Sequence, residues 1–285
     1  MSSGFDSLSL AVFTTLSPAG VVAFILVAIV LLFFGLDRPT ASRLNRFIVI
    51  PVAVALVGFI ASATHLGTPA NALHVFSGIG RSPLSNEVLF AVAFLVIGGS
   101  YWMVSFKDRF PQAALRLWLC VACVAGLLFI VMTSLAYSVV TVPTWDTWFT
   151  PVNLCFSALF AGPFLALLVL GVADCRLPRF SFVLAGIACL ALAVGSALLF
   201  MHNGSLGGIA NNVVSAAELV PDYFLMICAH VVLGAAGALL ALLSLRKGAS
   251  RQGAIALLTA ASVIAAVAVF IPRTAFYAMH MTVGF

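Results

Sequence analysis

His65 and Glu87 are the two residues of this sequence best suited to proton-coupled chemistry. His65 closes an apolar run at 47–66, in Ala63-Thr64-His65-Leu66-Gly67-Thr68-Pro69, and Glu87 opens the next run at 86–106, in Leu84-Ser85-Asn86-Glu87. Oxidising a quinol removes electrons and protons together. A quinol site therefore needs a group that accepts a hydroxyl proton near neutral pH and another that passes it to water. A neutral imidazole suits the first task and a carboxylate the second. The 21 residues between the two are enough to bring the run ends to one membrane depth. Arg81 is the basic residue of that connection, and it is a candidate to orient the ligand or meet a partner. The same residues also have a structural reading. His65 would then bond backbone at a helix end, and Glu87 would complement the positive end of a helix capped by Ser85. Spacing alone does not separate these readings.

The remaining candidates are weaker. His230 lies inside the run 223–245, roughly 12 Å deep at about 1.5 Å of rise per residue. An ionisable group at that depth is functional by default, or it is a neutral imidazole bonded to a neighbouring helix. His74, His202 and His280 fall on the same side as His65. His65 and His202 stand at helix ends that would suit one bis-histidine haem, but nothing pairs at the other side. Cys120-x-x-Cys123 is followed by Val124 where haem attachment needs His, and it reads as small polarizable residues one helical turn apart. No metal site is expected. Pro18 with Gly20, and Gly162 with Pro163, interrupt two runs at similar depth. Broken helices in matching halves mark some transporter sites, yet proline kinks are ordinary in membrane helices.

These residues are held by elements that cannot fold in water. Of 285 residues, 64% are hydrophobic and 7% charged, with a mean hydropathy of +1.23. A soluble domain carries about 25% charged residues, so the solvent for most side chains must be lipid. Apolar runs at 8–34, 47–66, 86–106, 115–139, 152–173, 180–201, 223–245 and 254–276 are each long enough to cross a bilayer as a helix. Backbone groups in lipid must bond within their own segment, which excludes open sheet. The expected fold is an all-α bundle of eight transmembrane helices in a single domain, 1–285. The first run has no basic residue before Arg38 and is too long for a cleaved signal, so it is expected to remain as a helix.

Eleven of the thirteen Lys and Arg residues fall in the connections after runs one, three, five and seven; Arg81 and Arg273 are the exceptions. The positive-inside rule then puts those connections in the cytoplasm and both termini outside. The +5 net charge is accounted for by this orientation, and nucleic acid is not an expected partner. Tyr137, Trp145, Trp148, Tyr223 and Tyr277 lie near the outer run ends, as an aromatic belt would. The outer connections Gly67–Ser85, Val140–Pro151 and Asn203–Pro221 are longer and richer in Gly, Pro and Asn than the inner ones. Long, specialised loops tend to carry function, so the outer face is the expected working face.

Several short runs carry a family resemblance. They are Gly58-Phe59-Ile60-Ala61-Ser62 with His65-Leu66-Gly67 and Pro69; Leu84-Ser85-Asn86-Glu87; Thr141-Val142-Pro143-Thr144-Trp145; Thr150-Pro151; Gly162-Pro163; Val220-Pro221-Asp222-Tyr223; and Phe276-Tyr277 with His280-Met281-Thr282-Val283-Gly284. In this order the chain resembles the membrane anchor subunits of bacterial dimethyl sulfoxide reductases, the DmsC family. The resemblance implies a multi-pass protein of the bacterial cytoplasmic membrane. Such a protein holds a molybdopterin catalytic subunit and an iron–sulfur electron-transfer subunit, oxidises menaquinol and carries no haem or metal. It would be non-catalytic toward the terminal acceptor. The family's quinol site is associated with residues that correspond to His65 and Glu87. A haem-b or other quinone-reactive anchor, or a transporter, is the alternative.

Overall fold

The computed structural model describes residues 4–64, 69–107 and 110–281. Among them, eight helical spans are long and apolar enough to cross a membrane. The chain runs through α1 (Gly4–Phe33), α2 (Arg38–Phe47), α3 (Val49–Ala63), α4 (Pro83–Val104), α5 (Gln112–Ala136), α6 (Phe149–Val172), α7 (Pro178–Ser205), α8 (Ala216–Leu219), α9 (Tyr223–Ser244) and α10 (Arg251–Ala278).

The second span is the one that departs most from the sequence reading. It begins at Arg38, because the polar helix α2 leads into α3 to give 26 residues up to Ala63. The discontinuity at Ile48 has a local cause. Pro51 sits in the first turn of α3, where its missing N–H costs least and its ring opposes the carbonyl of Phe47. A hydropathy reading starts the helix after the three arginines, since α2 is mostly polar up to Arg46, with Leu44 its buried residue. Pro83 and Pro178 also stand at the first positions of their helices, which is where proline is favoured.

Helices α1 and α6 form the centre, each 61% buried over its most apolar stretch. Around α1 stand α3, α5 and α10, with α4 against α5; around α6 stand α7 and α10, with α9 against both. Hydrophobicity does not drive helices together in lipid, so close approach of small residues has to. A Cβ on Gly162 would lie 2.5 Å from Val22, and one on Gly20 would lie 2.6 Å from the Pro51 carbonyl oxygen. Ser17 adds a hydrogen bond to the Ala55 carbonyl at 2.8 Å. Pro18 and Pro163 lie within α1 and α6, which continue as single helices through them. The gap in two helices that a transporter reading invoked is therefore not present.

The two ends of the bundle differ. At the basic end, arginines satisfy carbonyls that the last helical turns leave open. Arg43 Nε donates to Ala173 at 2.9 Å, Arg251 Nη2 to Val172 at 2.8 Å and Arg116 Nη2 to Leu32 at 2.6 Å. At the other end the long connections fold onto the bundle. One carries a 3-10 helix, Pro69–Gly78, packed on α4. Another carries α8, whose Ser215 and Glu218 form a reciprocal capping box. Between the ends, Leu117, Val124, Leu190, Leu225 and Val232 stand exposed on the helix flanks, as lipid-facing side chains do.

Candidate functional site

The run Ser85-Asn86-Glu87 is divided by its helix into three different jobs. Helix α4 starts at Pro83 after Ser82, so Ser85 is inside the helix and is not its cap. Ser85 is buried against Gly78, where a Cβ would meet its hydroxyl at 2.5 Å. Asn86 faces the loop and accepts from the Gly80 amide at 2.7 Å, holding the turn in which Gly80 takes a positive φ of 79°. Glu87 points the other way, into the bundle, and is only 2% exposed. It lies past the first turn of α4, whose cap position is Ser82, so a Glu87 that complements the positive end of a helix capped by Ser85 is not what the fold builds.

The Glu87 carboxyl faces Thr133 of α5, and neither Glu87 Oε1 nor Thr133 Oγ1 has a hydrogen bond of regular geometry. Tyr137 and Tyr277 lie within electrostatic reach of the same carboxyl. Their rings meet edge to face at 5.5 Å. The Tyr277 hydroxyl donates to Thr14 Oγ1 at 3.2 Å, and Thr14 in turn donates to the Leu10 carbonyl at 2.9 Å. Both tyrosines are also close to Arg273 of α10, which is 3% exposed and has Nε and Nη2 unpaired. Buried polar groups are nearly always satisfied in native structures. The two guanidinium nitrogens of Arg273, and the Glu87 oxygen that Thr133 does not meet with regular geometry, are therefore groups that a polar ligand or water would complete.

The surrounding scaffold fixes this region. Trp145 stacks on Phe276 at 5.0 Å and donates from its indole to the Phe276 carbonyl at 2.8 Å. Thr144 donates to the Met279 carbonyl at 2.6 Å. The α5–α6 connection is thereby clamped onto the end of α10. Tyr137, Tyr223 and Tyr277 are all buried, so they are part of the bundle interior and not of a lipid-facing belt.

The other sequence candidates fall apart from Glu87 or are differently used. His65 lies outside the described residues; it follows the end of α3 at Ala63 and Thr64. Arg81 is exposed and its Nη2 donates to the Ser77 carbonyl at 3.0 Å, so it lies on the loop surface. His74 and His280 are exposed. His202 is buried, stacked on Phe149 at 4.0 Å, with Nδ1 3.3 Å from the Tyr223 hydroxyl. Among the described residues no group of His, Cys, Asp or Glu is placed to hold a metal ion, and all six cysteines are free.

His230 has a specific structural explanation. Pro272 lies within α10 and has no N–H, so the carbonyl four residues earlier, that of Ala268, loses its helical partner. His230 Nδ1 donates to the Ala268 carbonyl at 2.7 Å. The histidine thus replaces the donor that the proline removes. His230→Leu is expected to cost about 1–3 kcal/mol through an unsatisfied buried carbonyl. Adding Pro272→Ala should recover much of that loss. Thermal denaturation in detergent of the two single variants and the double variant checks this; equal losses in H230L with and without P272A would refute it.

The sequence reading missed Arg273, Tyr137, Tyr277, Thr133 and Thr14. A signal existed for Arg273, because an arginine within an apolar run is costly and rarely idle. The others give no signal before the helices are packed.

Residues 1–279 match the family described as DMSO reductase anchor subunit (DmsC). The C chain of the anaerobic dimethyl sulfoxide reductase of Escherichia coli K12 is 33% identical, over 100% of this sequence and 98% of the relative. The YnfH chain of an anaerobic dimethyl sulfoxide reductase of the same organism is 32% identical with the same coverage. The corresponding C chain from Haemophilus influenzae is 27% identical, again over 100% and 98%.

Proposed function

The chain belongs to the DMSO reductase anchor subunit family, and on that premise we propose that it oxidises menaquinol in the bacterial cytoplasmic membrane. The electrons pass to an iron–sulfur subunit and from there to a molybdopterin catalytic subunit, where the terminal acceptor is reduced. The basic loops face the cytoplasm and both termini face outward. The observation that carries the reading is Glu87: a buried carboxyl with an open oxygen, one turn from the outer end of α4 and in the company of buried Tyr137, Tyr277 and Arg273.

The chemistry follows from what each group can exchange. Menaquinol gives up two protons and two electrons and leaves as menaquinone. His65 takes the two hydroxyl protons one after the other, and Glu87 relays each toward the outer water. The carboxyl and the imidazole return to their starting protonation once both protons have left, so the chain undergoes no net change. Arg81, exposed on the outer loop, is suited to meeting the iron–sulfur partner. Binding of a fluorescent naphthoquinol-site inhibitor, measured by quenching in membranes holding the assembled complex, tests the site. His65→Ala is expected to abolish tight binding; unchanged quenching with the complex intact would put the quinol elsewhere.

Sidedness sets a second outcome. Protons released outside, balanced by protons consumed outside at the terminal acceptor, move no net charge across the membrane. Proteoliposomes of the complex turning over quinol are expected to show no sustained membrane potential with a potential-sensitive dye. A potential that persists until substrate is exhausted would contradict the outward site.

A further inference from the structure

The end of the bundle opposite Glu87 contains a cavity that the quinol reading does not use. It has a volume of about 550 Å3 and lies between the ends of α6 and α9 and the starts of α7 and α10. Its walls are apolar, with Leu167, Leu170, Phe182 and Leu258 among them. Phe182 is itself 55% exposed, so the apolar lining reaches the flank of the bundle. The rim is cationic, formed by Arg176, Arg246, Lys247 and Arg251.

These four cations are not equivalent. Arg176 pairs with Asp174 at 3.2 Å. Arg251 spends Nη2 on the Val172 carbonyl at 2.8 Å. Arg246 and Lys247 are exposed, and neither side chain has a hydrogen bond or an ion pair among the described residues. Gly248, with a positive φ of 87°, turns the chain immediately after them. Helix α7 starts at the same mouth with Pro178 and has no side-chain cap. Its positive end adds to the field of the two free cations.

We propose that this cavity binds an anionic phospholipid. The headgroup phosphate sits between Arg246, Lys247 and the start of α7, and an acyl chain lies along Phe182 and Leu258. A small anion would satisfy the rim and leave the apolar walls unfilled. A zwitterionic lipid would fill the walls and leave the rim's excess charge unmatched. Only a lipid with net negative charge answers both, and basic pockets between membrane helices on the cytoplasmic side are suited to such headgroups.

The test is native mass spectrometry of the full-length chain in detergent, titrated with phosphatidylglycerol, with phosphatidylcholine and inorganic phosphate as comparators. Wild-type protein is expected to hold phosphatidylglycerol in preference to phosphatidylcholine. The double variant Arg246→Gln/Lys247→Gln should bind it on the order of tenfold more weakly. Arg38→Gln/Arg46→Gln, which removes as much charge from the same end but away from the cavity, should leave binding unchanged. Ala254→Phe, which fills the cavity without altering charge, should also weaken binding. The proposal is overturned if the two charge variants lose lipid equally, if R246Q/K247Q retains it, if A254F binds as wild type does, or if inorganic phosphate displaces the lipid at equal concentration. The charge variants alter exposed side chains, so they keep the proposal testable even if A254F does not fold.

Discussion

Glu87→Gln is expected to lower menaquinol oxidation by roughly 10²–10⁴-fold, the range over which a positioned acid or base contributes to a proton-transfer step. Glutamine keeps the size of the side chain and one carbonyl oxygen but cannot take up a proton. Glu87 Oε1 has no hydrogen-bond partner of regular geometry, and the neighbouring Thr133 hydroxyl can donate to a carboxamide oxygen as it can to a carboxyl oxygen, so the fold should survive. The phenotype should therefore be a fall in kcat with assembly intact. Turnover is read by following oxidation of a reduced naphthoquinone by the membrane-bound complex, with subunit content measured in the same membranes. A non-quinol electron donor supplied directly to the catalytic subunit serves as the control and should give wild-type rates. Near-normal quinol turnover in E87Q would make the buried carboxyl structural. Thr133→Val gives a finer version of the test. Thr133 is wholly buried and faces the carboxyl, so its loss should be felt in turnover much less than the loss of the acid itself.

Glycine to alanine should have opposite effects at two positions. At Gly20 a Cβ would come within 2.6 Å of the Pro51 oxygen and 2.8 Å of the Ala55 nitrogen. Both are backbone atoms and cannot turn aside, so α1 and α3 must separate. The expected cost is about 3 kcal/mol, at the upper end for overpacking, and the nearby Ser17–Ala55 hydrogen bond at 2.8 Å would be stretched with it. At Gly99, also inside a helix, a Cβ would meet nothing within 4 Å. There alanine should be neutral or stabilising by up to about 1 kcal/mol, through its helix propensity. Melting of the two variants in detergent distinguishes them; a Gly20→Ala protein as stable as wild type would mean that the α1–α3 contact is looser than it looks. Because α1 supplies Thr14 to the Tyr277 hydroxyl, Gly20→Ala should also weaken quinol oxidation, beyond what its lower stability alone produces.

The amino-acid sequence by itself determined the architecture at the level of spans. Runs of apolar residues of membrane length leave the backbone no choice but helix, and the asymmetry of Lys and Arg divides the protein into a basic end and a loop-rich end. It also singled out Glu87, because an acid beside an apolar run is rare enough to notice. Local chemistry fixes such features, so they can be read without knowing what packs on what. The tertiary structure decided what each polar residue does. Glu87 has no partner along its own helix; its carboxyl meets Thr133 of α5 and lies near tyrosines brought from the end of α5 and from α10. Arg273 looks like an interfacial charge in sequence and is a buried group with open nitrogens in the fold. In sequence His230 is equally open to function or structure; in the fold its ring meets the Ala268 carbonyl, which Pro272, 42 positions on from the histidine, leaves without a helical donor. These pairings depend on the rotation and depth of one helix against another, which are set by contacts such as Gly20 on Pro51 and Gly162 on Val22. In lipid those contacts come from shape and not from hydropathy, and hydropathy is the signal that a membrane sequence displays most openly.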